Sequence, residues 1–389
     1  MESLRVCYLL CYKAPDYTRT GALLNALEQL ADGESSDSAP EISVDRLINR
    51  YRGILRYPEM LLRLLRYRLS KRPDVWLLGF RGHECFLLFY PFMRGRRIVF
   101  DEFVIMESWI GESEARSKRA QPYLWLVRRY MRWLTDRCDV VLEDSVAHAR
   151  LAQSLYGHQA GKYVPVPVGA DETLFKPQQP ETTHNLDSAG KEHNHSKPLR
   201  VFFYGTMLPL HGLDILLEAI AVSLERHPGQ VEFELVGGKG NPATEFQIRE
   251  TIAGLNVEKA ITYIPWVEYQ SLPGHIARAD LCLGGPFGAT AQSSAVITGK
   301  TYQFLAMAKA TVVAPIEEAD FFADRTNVLF CSRGSSDSLA SVISWALQNR
   351  NELPAIGGRG RELFESRFST RSIASQLLPV LRQPPSPTD

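Results

Sequence analysis

Short apolar segments alternate with helical patterns along this 389-residue chain, and the alternation constrains the fold more than any other feature. It predicts parallel sheets covered by helices on both faces, because a crossover helix joins each pair of neighbouring parallel strands. The predicted strands are Leu4–Leu10, Val75–Leu78, Arg97–Phe100, Val140–Leu142, Tyr163–Val166, Val201–Tyr204, Phe233–Val236, Ile261–Ile264, Leu281–Leu283 and Thr311–Ala314.

The alternation is interrupted once, by a polar stretch at 178–198 that has no apolar periodicity. A chain of this length has room for two hydrophobic cores. The sequence therefore predicts an α/β protein with two doubly wound, Rossmann-like domains, at 1–177 and 199–366, joined by a disordered linker at 178–198. Residues 367–389 are predicted to form a last helix with a frayed tail.

Composition excludes several classes of protein. The 44 Lys and Arg residues balance the 44 Asp and Glu residues, which argues against a general nucleic-acid binder. The longest strongly apolar run, Cys85–Met93, is too short to cross a bilayer. The six cysteines are scattered and lie mostly in apolar runs, which favours buried, reduced thiols over disulfides or a zinc site. With no secretory signal pattern, the expected location is the cytoplasm.

The charge is unevenly distributed along the chain. Residues 46–137 contain 20 Lys and Arg residues but 9 Asp and Glu residues. In the densest part, Arg46–Arg72, arginines alternate with leucines, and on a helix this pattern produces an apolar stripe flanked by arginines. Two interpretations stay open: a surface helix packed on its own domain, or a face that binds an anionic membrane surface.

Glycine-rich turns follow two predicted strands of the second domain. Gly205 and Thr206 lead towards His211, and Gly237 and Gly238 begin a Gly-Gly-Lys-Gly turn. Loops after the carboxyl ends of parallel strands line the ligand crevice, and free N–H groups at helix starts bind phosphates. The turns therefore predict a phosphate site, with ordinary tight turns as the alternative. The second turn lacks the last glycine of the dinucleotide fingerprint, which argues against NAD.

A lysine follows a loop of small residues within Gly284–Ala314. Thr298 and Gly299 precede Lys300, which lies near the first turn of a helix predicted over Thr301–Ala308. The positive end of a helix disfavours a lysine. Its position predicts a bound anion such as a diphosphate, held by the ammonium group and by backbone N–H groups. A solvent-exposed lysine is the alternative.

Taken together, the motifs resemble those of the retaining glycosyltransferases of family 4, which have the GT-B fold. The similarity runs through nearly the whole chain, and the order and spacing of the motifs make it specific. The matching segments are Arg97–Phe103, Val166–Pro177, Tyr204–Thr206, Pro209–Gly212, Lys300–Lys309 and Arg367–Ser369. The resemblance implies two Rossmann-like domains that face each other across a cleft, with a C-terminal helix that crosses back to the first domain.

The resemblance also implies an activity. Such enzymes move a sugar from a nucleotide-diphosphate-sugar donor to an acceptor, here expected to be a glycan or a glycolipid intermediate. They retain the configuration of the sugar by front-face displacement, and they use no metal and no cofactor beyond the donor. The implied location is the cytoplasm, with peripheral association at the inner face of a membrane.

The resemblance assigns site residues in both domains. In the first, Asp101 is expected to be catalytic and Glu102 and His83 to line the acceptor side, with capping or turn formation as the alternative. In the second, Lys300 is expected to stabilise the leaving phosphate. The residues expected to bind the donor are Gly205, Thr206, His211, Gly237, Gly238, Thr298, Gly299, Lys300 and Gln303.

Four positions depart from the family pattern. Thr206 and His211 stand where many members carry an arginine and a lysine. Gln303 replaces the glutamate that binds the nucleotide ribose, and it can still hydrogen-bond a hydroxyl. Ala295 falls where a glutamate touches the transferred sugar, so neighbours such as Ser294 must recognise the sugar. A sugar-nucleotide epimerase of the same fold and a non-catalytic partner subunit therefore stay open as alternatives.

Overall fold

The computed structural model describes residues 4–12, 17–33, 42–107, 121–158, 161–178, 197–254, 260–317 and 319–383. The chain divides into two compact units. The first contains Met1–Gly169 and Phe368–Asp389, and the second contains Ala170–Arg367. Each unit is built on one six-stranded parallel sheet, so the predicted α/β architecture with two doubly wound sheets is confirmed.

The division between the units falls after Gly169, earlier in the chain than the predicted boundary at 177. Phe175 accounts for the difference, because its buried ring packs edge-on against the ring of Tyr269 in the second unit. Of the linker predicted at 178–198, residues 179–196 lie outside the described ranges.

The first sheet is covered by helices on both faces. Its strands are Leu4–Leu10 (β1), Ile42–Ile48 (β2), Val75–Leu78 (β3), Arg97–Asp101 (β4), Val140–Glu143 (β5) and Tyr163–Pro165 (β6), in the order β2-β1-β3-β4-β5-β6. Its helices are Thr18–Ala31 (α1), Arg56–Ser70 (α2), Phe86–Met93 (α3), Gln121–Asp136 (α4) and Val146–Tyr156 (α5), together with the C-terminal helix of the chain.

The second sheet repeats this plan. Its strands are Leu199–Gly205 (β7), Val231–Gly237 (β8), Ile261–Ile264 (β9), Leu281–Gly285 (β10), Ala310–Val313 (β11) and Leu329–Phe330 (β12), in the order β12-β11-β10-β7-β8-β9. Its helices are Leu213–Arg226 (α6), Pro242–Gly254 (α7), Leu272–Arg278 (α8), Gly299–Ala306 (α9), Ser336–Gln348 (α10) and Leu353–Arg367 (α11). The C-terminal helix, Thr370–Arg382 (α12), returns to the first unit.

Two predicted helices differ from the structure. Within Arg46–Arg72, residues 46–48 end strand β2, because they pair with β1, and the helix begins only at Arg56. The last helix, predicted within 367–389, begins only at Thr370, because the Ser369 side chain caps it by accepting a hydrogen bond from the Ser372 N–H. None of the helices in the described ranges is both long and apolar enough to span a bilayer.

The two faces of the first sheet carry different helices. Successive strand residues point to opposite faces, so Tyr8 packs with α1 and α12, whereas Leu9 packs with α2, α3, α4 and α5. The layer formed by α2, α3 and α4 is therefore separated from α1 and α12 by the sheet itself.

A buried ion pair joins α1 to the end of β4. Both the Nε and a terminal nitrogen of Arg19 donate to Asp101 Oδ1, at 2.9 and 2.8 Å, and both side chains are fully buried. The other terminal nitrogen of Arg19 donates to the carbonyl oxygens of Val166 and Pro167, the latter at 2.8 Å. One guanidinium group thus ties together α1, β4 and the segment after β6.

Breaking this pair is expected to destabilise the first unit. Arg19→Met leaves Asp101 charged and uncompensated in the core, which typically costs about 3–5 kcal/mol, whereas Arg200→Met removes an exposed partner of Glu232 and costs about 1 kcal/mol or less. Urea unfolding measures both changes. Adding Asp101→Leu to Arg19→Met should restore part of the lost free energy of unfolding. If Arg19→Met and Arg200→Met lowered the free energy of unfolding equally, the result would contradict the role of the buried pair.

Candidate functional site

Strands β7 and β8 lie side by side, and their carboxyl ends approach each other closely. Gly237 has a φ of 134°, and a Cβ atom at this position would lie 1.8 Å from the carbonyl oxygen of Gly205. Only glycine is therefore compatible with the contact. The Tyr263 hydroxyl donates to the Gly237 carbonyl at 3.0 Å and fixes the turn from the other side.

His211 and Lys300 meet at the end of β7. His211 belongs to a 3-10 turn, Pro209–His211, whose end is held by Gly212 against the backbone of Gly288. A methyl group on Gly205 would lie 3.0 Å from His211 Cε1 and 3.5 Å from Lys300 Cε. The structure therefore brings together Gly205, His211 and Lys300, three of the residues predicted to bind the donor.

Lys300 Nζ and His211 Nδ1 are buried, and no ion pair to either side chain is found within the described ranges. Lys300 is 5% exposed, so the predicted alternative of an exposed lysine is wrong. Its Nζ lies 4.8 Å from the centre of the Phe203 ring, and neither it nor His211 Nδ1 has a hydrogen-bond partner among the residues that the structure describes. Burial lowers the pKa of Lys300 to about 7, and burial together with Lys300 lowers the pKa of His211 well below its usual range.

The start of α9 adds backbone donors beside this lysine. Lys300 is the second residue of α9, and Thr298 precedes the helix without capping it by its side chain. The Thr298 hydroxyl instead donates to the Gly284 carbonyl at 2.7 Å. The first N–H groups of a helix have no intrahelical partner and attract anions, so Gly299 and Lys300 contribute donors as well as charge.

Two further predicted donor residues lie at the same edge of the sheet. Thr206 is exposed next to Gly205, at the end of β7. Gly238 follows Gly237, and a Cβ atom there would approach Thr244 and the Tyr263 hydroxyl, each at 3.3 Å. Their roles in donor binding stay predictions.

Gln303 is held by two tyrosines, neither of which was among the residues expected to bind the donor. It is buried; its Oε1 accepts a hydrogen bond from Tyr204, and its Nε2 donates to the Tyr269 hydroxyl at 3.0 Å. The amide therefore positions Tyr269, whose side chain is partly exposed. Ala295 is buried at the end of a 3-10 turn, Gln292–Ser294, and offers no polar side chain.

In the first unit, the predicted catalytic and acceptor residues are buried. Asp101 is fully enclosed, and burial raises the pKa of its carboxyl group despite the neighbouring Arg19. Glu102 accepts a hydrogen bond from Tyr156 at 3.1 Å, and burial raises its pKa to about 7. The position of Asp101 supports a structural role, because one of its oxygens binds Arg19, while its predicted role in catalysis stays a prediction.

Three further polar side chains gather beside Glu102, and sequence patterns did not point to them. His148 Nδ1 lies 2.8 Å from Asp144 Oδ1 and 3.2 Å from Glu143 Oε2, and all three side chains are buried. No metal is expected from the sequence, whereas within the described ranges these three residues form a cluster of metal-ligand type. Burial, and then the charge of Glu102, raise the pKa of Glu143 well above its usual range.

A sequence signal for this cluster exists. Glu143 is the last residue of β5 and Asp144 follows it, just as Asp101 ends β4 and Glu102 follows it, and the two strands are neighbours. Acidic residues after two adjacent parallel strands meet at one edge.

His83 lies in a 3-10 turn, Gly82–Glu84, after β3. Burial, and then the charge of Arg81, lower the pKa of His83 to about 4, so its imidazole is neutral near pH 7. Its carbonyl oxygen accepts a hydrogen bond from Tyr130. In the described part of the chain no hydrogen bond or ion pair joins His83 to Asp101 or Glu102, and its acceptor role stays a prediction.

Known proteins resemble this chain in sequence and in structure. A D-inositol 3-phosphate glycosyltransferase from Acidothermus cellulolyticus is 31% identical to this chain over 135 residues. The match covers 33% of this chain and 28% of that relative, which is much less than its full length. No protein-family model matches the chain.

Solved structures match nearly the whole chain. Anabaena HepE in complex with UDP and glucose has a TM-score of 0.68 at 18% identity, covering 97% of this chain and 99% of its own. Sucrose-phosphate synthase from Thermosynechococcus elongatus has a TM-score of 0.71 at 14% identity, and each chain is covered to 98%. Identities this low show a shared fold. The chain has the GT-B fold, and its predicted resemblance to glycosyltransferases of family 4 is confirmed.

The buried carboxyl groups make the stability of the protein depend on pH. Glu102 has a pKa of about 7 when folded and an ordinary value of 4.5, so the unfolded chain releases this proton first as the pH rises. Stability is therefore expected to fall between about pH 5 and pH 7, by up to about 3 kcal/mol for this group. Glu102→Gln keeps an oxygen that can accept the hydrogen bond from Tyr156, and it should reduce the loss of stability. Melting temperatures measured between about pH 5 and pH 7 test this expectation.

The exposed Asp32 in the same unit provides the control. Asp32→Asn should lose as much stability between about pH 5 and pH 7 as the original protein does. A fall of equal size in Glu102→Gln would mean that Glu102 is already ionised in the folded protein at low pH.

Proposed function

We propose that this protein is a glycosyltransferase that takes a sugar from a nucleoside-diphosphate-sugar donor, with UDP as the favoured nucleotide. The observation that carries the proposal is the buried Nζ of Lys300, which has no hydrogen-bond partner in the described residues and lies beside His211 at the start of α9. A buried ammonium group without a counter-charge is costly, and a bound diphosphate removes the cost. HepE, which shares the fold, was solved with UDP and glucose.

The proposed reaction breaks the bond between the anomeric carbon of the sugar and the diphosphate. Negative charge develops on the leaving phosphate, where Lys300 and the N–H groups at the start of α9 stabilise it. The neutral imidazole of His211 supplies a hydrogen bond to a phosphate oxygen. An acceptor hydroxyl attacks on the face that the diphosphate leaves, and its proton passes to the leaving phosphate. This order retains the configuration of the sugar.

The remaining assignments belong to the same proposal. Gln303 and Tyr269 are proposed to hydrogen-bond the ribose of the nucleotide, because the amide already orients the tyrosine hydroxyl. His83 is proposed to face the acceptor, which is a glycan or a lipid-linked glycan intermediate. The reaction is proposed to need no metal and to take place in the cytoplasm.

Lys300→Met is expected to weaken UDP binding about ten- to a hundredfold, the typical effect of losing a hydrogen bond to a charged group. At about pH 8 the free lysine is mostly neutral, since its pKa is about 7, and a bound diphosphate keeps it charged. Binding of UDP should therefore take up a proton in the original protein and not in the variant. Calorimetry in two buffers with different ionisation enthalpies measures both quantities.

Lys197→Met is the matched control, because this lysine of the second unit is exposed. It should leave affinity and proton uptake unchanged. Unchanged affinity in Lys300→Met would remove this lysine from the donor site.

Release of UDP from UDP-glucose, with and without EDTA, tests the reaction itself. Equal rates in both conditions are expected for metal-free transfer, and loss of activity with EDTA would contradict it. Binding of UDP-glucose without turnover in the presence of candidate acceptors would favour the non-catalytic subunit, which the alanine at position 295 motivates.

A further inference from the structure

Large apolar side chains are exposed mainly on one layer of the first unit. Among the described residues, 17 large hydrophobic side chains are exposed, and 11 of them lie between Tyr51 and Leu126. They are Tyr51, Ile54, Leu55, Leu62, Leu65, Leu69, Leu87, Leu88, Tyr123, Trp125 and Leu126. Contiguous apolar exposure of this kind marks an interaction surface.

These side chains belong to three helices that lie on the same face of the first sheet. The inner sides of α2, α3 and α4 share one hydrophobic core through residues such as Leu64, Phe89 and Leu134. Helices α3 and α4 also touch each other, because the Phe86 and Trp133 rings meet edge-on at 5.8 Å. We call the outward side of α2, α3 and α4, with the turn at Gly53–Leu55, the leucine–arginine face.

Exposure is high on each part of this face. Ile54 is 80% exposed in the turn before α2, and Leu69 is 78% exposed at the end of α2. Leu87 on α3 is 67% exposed, and Trp125 on α4 is 62% exposed. Helices α1 and α12, which cover the opposite face of the same sheet, have no exposed large apolar side chain in the described ranges.

Arginines surround the apolar side chains. Helix α2 contributes Arg66 and Arg68, and α4 contributes Arg129 and Arg132, and none of these four forms an ion pair within the described residues. The acidic residue of α2, Glu59, is already bound by Arg63 and by backbone N–H groups. These four arginines therefore present positive charge that is not paired with a carboxylate of the described residues.

We propose that the leucine–arginine face docks on an anionic lipid membrane. Leucine and tryptophan side chains enter the boundary between headgroups and acyl chains, while arginines at the rim contact lipid phosphates. The apolar side chains of α2, α3 and α4, with the arginines of α2 and α4, fit a flat, negatively charged surface. The proposed surface thus includes α3 and α4 as well as the positively charged segment at 46–72, and it does not depend on the proposed sugar transfer.

Vesicle flotation with the full chain tests the proposal. At low salt, binding to vesicles that contain about one-third phosphatidylglycerol should exceed binding to pure phosphatidylcholine about tenfold or more, and should fade as salt is raised. Leu69→Glu with Trp125→Glu should reduce binding to the anionic vesicles about tenfold or more. Phe246→Glu, an exposed apolar residue of the second unit, should leave binding unchanged.

Charge is tested separately. Arg66→Gln with Arg129→Gln should reduce the preference for anionic vesicles. The control, Arg371→Gln with Arg382→Gln, removes the same charge from exposed positions of α12 and should leave that preference unchanged. Insertion is tested by quenching of tryptophan fluorescence with brominated lipids. Trp125→Phe should lose most of the quenching, and Trp266→Phe in the second unit should keep it.

Three results would overturn the proposal. The first is that anionic vesicles at low salt do not retain the original protein. The second is that neutral vesicles bind it equally well. The third is that the two glutamate substitutions leave binding to anionic vesicles unchanged. A change in self-association of the double glutamate variant without any vesicle binding would assign the face to a protein interface instead. Circular dichroism and melting temperature confirm that each variant is folded, which is expected because the replaced side chains are exposed.

Discussion

A parallel sheet places the carboxyl ends of all its strands at one edge, and the chemistry of both units depends on this constraint. In the second unit, the ends of β7 and β8 approach so closely that Gly237 must be glycine, and the space left beside Gly205 is occupied by His211 and Lys300. In the first unit, the ends of β4 and β5 bring Glu102 next to Glu143. The same geometry therefore gathers basic groups in one unit and acidic groups in the other.

Burial has opposite consequences for these two groups of side chains. Removing water favours the neutral form of any titratable group, so it lowers the pKa of Lys300 to about 7 and raises the pKa of Glu102 to about 7. Among the acidic side chains, Asp101 has an internal partner, since Arg19 compensates its charge. Lys300 Nζ and His211 Nδ1 have no hydrogen-bond partner among the described residues, and this observation is the basis of the proposed diphosphate site.

The position of a strand in its sheet, central and buried or at the edge, explains whether it could be predicted from the sequence. Val75–Leu78 has the predicted bounds, because a strand that is buried on both faces is a continuous apolar run. Strand β2 was not predicted, since it lies at the edge of its sheet and mixes Ser43, Asp45 and Arg46 with apolar residues. Arg46 and its neighbours look helical by their periodicity, but hydrogen bonding to β1 decides their conformation.

The sequence by itself determined the two α/β units, the glycine-rich turns after β7 and β8 and the position of Lys300 near the start of a helix, because these follow from short-range patterns of apolar, glycine and basic residues. Only the tertiary structure decided what each site residue contacts. Asp101 meets Arg19, which lies 82 positions away in the chain, and Gln303 meets Tyr204 across 99 positions. Such partners, and the burial that shifts the pKa of Lys300, depend on which elements pack together, and no local pattern in the sequence carries that information.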